Sequence, residues 1–229
     1  MNLRVLCFLV CLVFVSASTL ASHASGPILF EDDFETGLRP EWTIGSPGCD
    51  SPHGSWTIEA GQLCAKVETY EECTSAVVGN PSWVDYAISF DVVLREGLDR
   101  IVGIHYQDFT HQLQLNLNTW LGKVVMVAGR DLVVFEAPYT LELGVSYHVR
   151  FGIFGDEAGV QIDGKNVGGL DVSALFASGL IPTSGGIALE SYVGGVAAAN
   201  DICFDNVVIE GLHSVKADKA SWGTLKMRY

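Results

Sequence analysis

Residues 83–118 read WVDYAISFDVVLREGLDRIVGIHYQDFTHQLQLNLN, and this stretch decides the fold. Apolar residues recur at every second position in three of its segments, residues 83–93, 101–106 and 111–118. A period of two buries one face of a strand and exposes the other, which is typical of antiparallel sheets with one solvated side. The stretch therefore predicts three antiparallel strands.

The last of these segments carries an unusual polar face. Leu113, Leu115 and Leu117 point to one side, and Gln112, Gln114 and Asn116 point to the other. We call these three neutral side chains the amide row. Because each amide can both donate and accept hydrogen bonds, we expect the row to face water or a ligand.

The rest of the chain shows more short segments of the same kind, separated by turn signals. Ala60-Gly61 and Asp163-Gly164 each lie between two strand-like segments, as in tight hairpins. Residues 170–180 form the one segment with a helical pattern. About a dozen short strands with regular turns predict an all-β fold, a two-sheet antiparallel sandwich with one short helix.

The chain divides into three parts. Residues 1–24 resemble an export signal, with Arg4, an apolar run from Val5 to Val15 and small residues after it. This run is too short to span a bilayer, and no later segment is long and apolar enough. We expect the sandwich domain in residues 25–211 and a basic tail in residues 212–229, either disordered or a sorting signal. The protein is predicted to be secreted, periplasmic or attached to the cell surface.

The net charge limits the classes of binding partner, and the cysteine content indicates the cellular compartment. The formal net charge of −14 disfavours nucleic acid and anionic membranes, whereas neutral sugars, cations and basic partners remain. Two of the six cysteines lie in the signal segment. The other four predict two disulfides whose pairing the sequence leaves open, and a zinc site is disfavoured because no Cys-x-x-Cys pair is present. These four are Cys49, Cys64, Cys73 and Cys203.

Motifs along the chain resemble a known family. They are Asp-Asp-Phe-Glu at 32–35, Trp-x-Ile-x-x-Gly-x-Leu at 56–63, Trp-x-Asp-Tyr-x-x-x-Phe-Asp at 83–91, Ile-Asp-Gly at 162–164, Gly-Ile-Ala-Leu at 186–189 and Phe-Asp-Asn-Val at 204–207. In this order they resemble the concanavalin A-like (laminin G-like) jelly roll, and most closely the 3-keto-disaccharide hydrolase-type domain of exported bacterial proteins. The resemblance implies a fold that lectins, glycan-binding modules, glycosidases and adhesion domains share.

The amide row is the best candidate for a ligand surface. Sugar sites combine amides and carboxylates for the hydroxyl groups with an aromatic ring for the C–H face. We therefore expect a secreted, non-catalytic domain that binds carbohydrate or another extracellular polymer. The candidate ligand residues are Asp91, His105, Tyr106, His111, Gln112, Gln114, Asn116 and Trp120.

Two other functions stay open. One is a glycoside hydrolase of the 3-keto-disaccharide type that uses carboxylates such as Asp91 or Glu190. The hydrolases of the resemblance often have Arg where this chain has His105, which favours binding without cleavage. The other is a structural or adhesion domain without a small ligand.

Carboxylates near the start of the domain suggest two further roles. Glu31, Asp33 and Glu35 share one strand face, and laminarinase-like enzymes of the resembled fold use such a trio for retaining hydrolysis. Those enzymes carry the trio on a cleft strand in mid-chain, whereas here it begins the domain, so catalysis is disfavoured. The resemblance implies that the first and last strands are neighbours, which predicts a structural calcium held by Asp33, Glu35 and Asp205. The alternative is that Asp205 caps a local turn.

Overall fold

The computed structural model describes residues 24–45, 49, 52–97, 100–193 and 199–213. The predicted export signal and tail lie outside the described residues, except for Ala24, Leu212 and His213. The described residues form fifteen strands and one helix, α1 (Ser173–Ser178). This helix falls inside the segment predicted to be helical.

The strands form two antiparallel sheets, which confirms the predicted sandwich. The first sheet contains β1 (Ala24–Asp32), β3 (Ser55–Glu59), β4 (Gln62–Val67), β6 (Tyr86–Glu96), β11 (Ser146–Phe154), β12 (Glu157–Ile162), β13 (Lys165–Asp171) and β15 (Asn200–His213). The second contains β2 (Thr43–Gly45), β5 (Cys73–Val78), β7 (Arg100–Asp108), β8 (His111–Asn118), β9 (Lys123–Ala128), β10 (Leu132–Pro138) and β14 (Gly186–Tyr192).

The order of the strands shows which strands are neighbours and which sheet carries the amide row. The first sheet runs β13-β12-β11-β6-β15-β4-β3, with β1 also paired to β15, and the second runs β10-β9-β8-β7-β14-β5-β2. The pairing of β1 with β15 confirms that the first and last strands are neighbours, with Asp32 opposite Val207. Strand β8, which carries the amide row, lies between β9 and β7 in the second sheet.

The two sheets meet along the apolar faces that the alternation predicted. Leu113, Leu115 and Leu117 of β8 are fully buried in the core cluster. Phe90 of β6 and Phe151 of β11 are also fully buried there. The predicted hairpins are present as well, since both residues of the Ala60-Gly61 and Asp163-Gly164 turns have the positive φ angles of primed turns.

The opening stretch divides between the two sheets, which the sequence did not predict. Strand β6 lies in the middle of the first sheet, whereas β7 and β8 lie side by side in the second. The chain therefore crosses from one sheet to the other between Glu96 and Arg100. Alternation specifies which residues face the core but not which sheet a strand joins, so the expectation that Asp91 shares a ligand surface with the amide row is wrong.

Tyr86 links the two sheets through hydrogen bonds. Its hydroxyl, on β6, donates to the Gly186 carbonyl at 2.8 Å and accepts the backbone N–H of His105 at 2.7 Å. Tyr86 is 1% exposed, so both partners are desolvated. This one hydroxyl thus joins the first sheet to two strands of the second.

We expect Tyr86→Phe to lower the free energy of unfolding by about 2 kcal/mol, because a buried N–H and a buried carbonyl lose their partner. Chemical denaturation of the variant and the wild type measures the difference. Tyr70→Phe is the matched control, since Tyr70 is 55% exposed. Equal losses in the two variants would contradict the role of the Tyr86 hydroxyl.

Two disulfides are present, as predicted, and the structure settles their pairing. Cys64 of β4 is bonded to Cys203 of β15, where the two residues face each other across neighbouring strands of the first sheet. Cys49 is bonded to Cys73. All four cysteines of the predicted sandwich domain are thus engaged as disulfides.

Candidate functional site

The outer face of the second sheet contains the amide row, and we call it the amide face. It is the side of the sheet turned away from the core, because the leucines of β8 alternate with the row and point inward. Its central residues are Ser75 and Val77 of β5, Gly103 and Tyr106 of β7, Gln112, Gln114 and Asn116 of β8, and Ala188 and Glu190 of β14.

The amide row is buried, so the expectation of a solvated row is wrong. Gln112 and Gln114 have no exposed surface, and Asn116 is 9% exposed. The missing side chain of Gly103 lets Gln112 lie flat across β7, since a Cβ added at Gly103 would collide with Gln112 Oε1. Side chains that lie along the sheet shield each other from water, which the alternation does not reveal.

The nitrogen ends of these amides have internal partners. Gln112 Nε2 donates to Glu190 Oε1 at 2.8 Å and to the Phe109 carbonyl at 3.2 Å. Gln114 Nε2 donates to the same carbonyl at 3.4 Å. The β7–β8 turn at Phe109 is therefore tied to the face and holds both glutamines in place.

The amide oxygens of the row differ from the amide nitrogens in their hydrogen bonding. Gln112 Oε1, Gln114 Oε1 and Asn116 Oδ1 are buried and accept no hydrogen bond from the described part of the chain. The described strands all belong to the two sheets, and the first sheet lies on the core side, so none of them covers this face. Since buried polar atoms normally have partners, three acceptors left without one among the described residues are unusual.

Glu190 supplies the negative charge of this face. Its side chain is fully buried, and it lies opposite Ser75 on β5. Asp91, the other carboxylate considered for hydrolysis, lies on β6 of the first sheet. The two carboxylates considered for the hydrolase alternative are therefore on different sheets and do not form a pair.

Asp91 belongs to a separate polar cluster on the outer face of the first sheet. Its two oxygens accept hydrogen bonds from His148 Nδ1 at 2.7 Å and from Asn206 Nδ2 at 2.8 Å. Its place in the predicted ligand surface is thus wrong, because the strand that carries it joined the other sheet.

His105 is buried rather than at the rim. It has a positive φ of 51°, and the β7–β8 register is irregular between Ile104 and Asp108. Its ring nitrogens lie 2.9 Å from the Pro182 carbonyl and 2.7 Å from the Val84 carbonyl, and burial lowers the pKa of His105. Such an irregularity interrupts the two-residue alternation, which explains why the sequence pattern misplaced this side chain.

Tyr106 lies on the amide face, next to His105 in the chain. It is 5% exposed, and its hydroxyl lies beside that of Ser75. Burial raises the pKa of Tyr106, and the nearby Glu190 charge raises it further. Tyr106 also lines a cavity of about 390 Å³ at the end of the face formed by β2 and β5.

The two remaining predicted ligand residues lie at opposite ends of β8. His111 is exposed at the β7–β8 turn, where its Nδ1 lies 2.9 Å from Asp108. Burial opposes ionisation of Asp108, but hydrogen bonds from Thr110 and His111 leave its pKa below the usual range. Trp120 follows β8 at the other end and is 65% exposed. The structure thus brings Tyr106 and the amide row together and leaves His111 and Trp120 apart.

The predicted calcium ligands make local contacts. Asp205 Oδ1 accepts the Asn206 N–H at 2.7 Å, and Asp33 Oδ1 accepts the Glu35 N–H at 3.3 Å, as in turn caps. The Glu35 carboxylate lies against Gly61 of the β3–β4 turn. Calcium binding at Asp33, Glu35 and Asp205 stays a prediction.

Among the described residues, one group of acidic and cysteine side chains lies close enough together to be considered as a metal site. Glu59, Cys64 and Cys203 bring their potential ligand atoms within 4.8 Å of one another. Because the two cysteines are joined in a disulfide, neither offers a thiolate to zinc.

Comparison with known proteins shows which solved structures have a similar fold. No family model matches the chain, and no curated protein matches it. Among solved structures, the carbohydrate-binding module CBM66 from Bacillus subtilis is 16% identical, with a TM-score of 0.56 over 75% of this chain and 96% of that one. Domain 4 of AbnA, an extracellular arabinanase of Geobacillus stearothermophilus solved with arabinotriose, is 13% identical, with a TM-score of 0.56 over 82% and 94%.

This chain has a jelly-roll fold, a two-sheet antiparallel β sandwich. A Bacillus subtilis protein of unknown function with a galectin-like fold gives a TM-score of 0.61 at 9% identity, over 83% of this chain and 98% of that one. At such identities the likeness concerns the fold alone. The more specific resemblance to the 3-keto-disaccharide hydrolase-type domain is not confirmed. No helix of the jelly roll, within the residues described, is long and apolar enough to cross a membrane.

Proposed function

We propose that this jelly roll is a secreted, non-catalytic domain that binds a neutral carbohydrate on its amide face. The observation that carries the proposal is the row of three buried amide oxygens without partners among the described residues. Sugar hydroxyls are donors of the kind these acceptors need. A cavity lined by Tyr106 lies on the same sheet, at its β2–β5 end.

Several other features support this proposal. The sheet aligns the acceptors along one strand, so successive hydroxyl groups of a saccharide can meet successive amides. The acidic chain disfavours polyanions, whereas neutral glycans carry no charge to repel. The two disulfides fit an oxidising, extracellular compartment, and modules with this fold include CBM66 and the AbnA domain.

The positions of the two candidate carboxylates support a non-catalytic role. Glycoside hydrolysis needs two carboxyl groups on either side of one bond, within about 10 Å of each other. Asp91 and Glu190 are on the outer faces of different sheets and do not meet this need. We therefore expect a bound glycan to be recovered intact after long incubation with the protein.

A glycan array with the purified protein tests the proposal. For a glycan that binds, we expect Gln114→Leu and Asn116→Leu each to weaken binding about tenfold, because each removes one acceptor. Gln161→Leu is the matched control, since this amide is on β12 of the first sheet. An array without any bound glycan, or equal losses in all three variants, would rule out the amide row as a sugar site.

A further inference from the structure

The cavity at the end of the amide face differs in chemistry from the row itself. It has a volume of about 390 Å³ and borders β2, β5, β7 and β14. Most of its wall consists of apolar side chains or glycines, namely Gly45, Val77, Val78, Gly79, Pro81 and Gly186. The polar residues on its wall are Thr43, Tyr106 and Gln107, and none of the described residues that line it is charged. The cavity thus favours a neutral, largely apolar group with a few hydrogen-bonding atoms.

Tyr106 provides a hydrogen-bond donor in this wall. The neighbouring Ser75 hydroxyl donates to the Gly45 carbonyl, and the Tyr106 hydroxyl makes no hydrogen bond of standard geometry with the described residues. The side chain is 5% exposed and lines the cavity, so a group that enters the cavity can offer an acceptor to this hydroxyl. Because burial raises the pKa of Tyr106, the hydroxyl keeps its proton and can donate.

We propose that the cavity holds an acyl substituent of the sugar that lies on the amide face. The proposal rests on the function proposed above and names the class of ligand. The carbonyl oxygen of the acyl group accepts a hydrogen bond from Tyr106, and its alkyl part packs against Val77 and Pro81. A carboxylate or sulfate substituent fits poorly, because no cationic side chain lines the cavity and Glu190 is close to Tyr106.

Matched pairs of neutral glycans test this proposal with the wild-type protein. Chitohexaose and cellohexaose differ in the N-acetyl group, and acetylated glucomannan differs from its alkali-treated form in the O-acetyl group. We expect the acylated member of one pair to bind at least ten times more tightly, as measured by isothermal titration calorimetry. The pair that shows the difference identifies whether the acyl group is an amide or an ester.

Two variants locate the effect in the cavity. Gly45→Leu fills it, since a Cβ at Gly45 meets no atom within 4 Å, and Tyr106→Phe removes the donor while keeping the ring. Each should weaken binding of the acylated glycan about tenfold, and Gly45→Leu should leave binding of the other member of the pair unchanged. Ile44→Val, on the other face of β2, is the control and should bind like the wild type.

The two proposals fail in different ways. Equal affinity for both members of both pairs would overturn the acyl proposal and leave carbohydrate binding intact. The same holds if Gly45→Leu and Tyr106→Phe bind the acylated glycan as tightly as the control. If no glycan on the array binds, both proposals are overturned.

Discussion

Replacing Cys64 and Cys203 together by alanine is expected to lower the free energy of unfolding by about 5 kcal/mol. The bond joins residues 139 positions apart, so it closes most of the domain into one loop. Loss of so long a loop gives the unfolded chain much more conformational freedom. The removed sulfur atoms also leave buried space between β4 and β15, since Cys64 is 3% exposed and Cys203 is fully buried.

The other disulfide provides the comparison. Cys49 and Cys73 are 24 positions apart, for which the same relation gives about 3.5 kcal/mol. Urea denaturation of both double variants under non-reducing conditions measures the two losses. A larger loss for the Cys49–Cys73 variant would contradict the assignment of Cys64–Cys203 as the main covalent constraint of the sandwich.

Gly103→Ala is expected to lower the free energy of unfolding by about 3 kcal/mol. The new Cβ collides with Gln112 Oε1, so Gln112 must leave its position across β7. It then loses its hydrogen bonds to Glu190 and to the Phe109 carbonyl in a buried environment. Neither φ strain nor helix propensity contributes, because Gly103 lies in a strand and its own φ is not positive.

Gly45→Ala is the matched control for this variant. Gly45 also lies in the second sheet, on β2, but an added Cβ meets no atom within 4 Å there. We expect its stability to stay within about 0.5 kcal/mol of the wild type. Thermal or urea unfolding of the two alanine variants compares the sites, and similar stabilities would mean that the packing of Gln112 over Gly103 is not a structural constraint.

Local patterns predicted much of the fold. The leucines of β8 alternate with polar residues and lie in the core as expected, because period-two alternation reflects burial directly. The Ala60-Gly61 and Asp163-Gly164 turns followed from residues that tolerate positive φ. An even number of cysteines in a chain predicted to be exported indicated two disulfides, although only the position of β4 beside β15 decides that Cys64 meets Cys203.

Long-range features were beyond the sequence patterns. Asp91 joined a different sheet from the amide row because strand pairing depends on contacts far apart in the chain. The side chain of His105 points into the protein interior because the β7–β8 register is irregular there. The burial of Gln112 depends on the glycine at position 103 of the neighbouring strand, a relation that a pattern within one strand does not contain.

The central claim is that the amide row holds the ligand, and the side-chain amide resonances of the protein test it most directly. A ¹H–¹⁵N NMR titration with a glycan selected on the array follows the NH₂ groups of Gln112, Gln114 and Asn116. We predict that these signals shift with saturation, while those of Gln161 and Asn206 on the first sheet do not. Shifts confined to Asn206 or to the Trp120 indole, with the amide row unchanged, would contradict the claim.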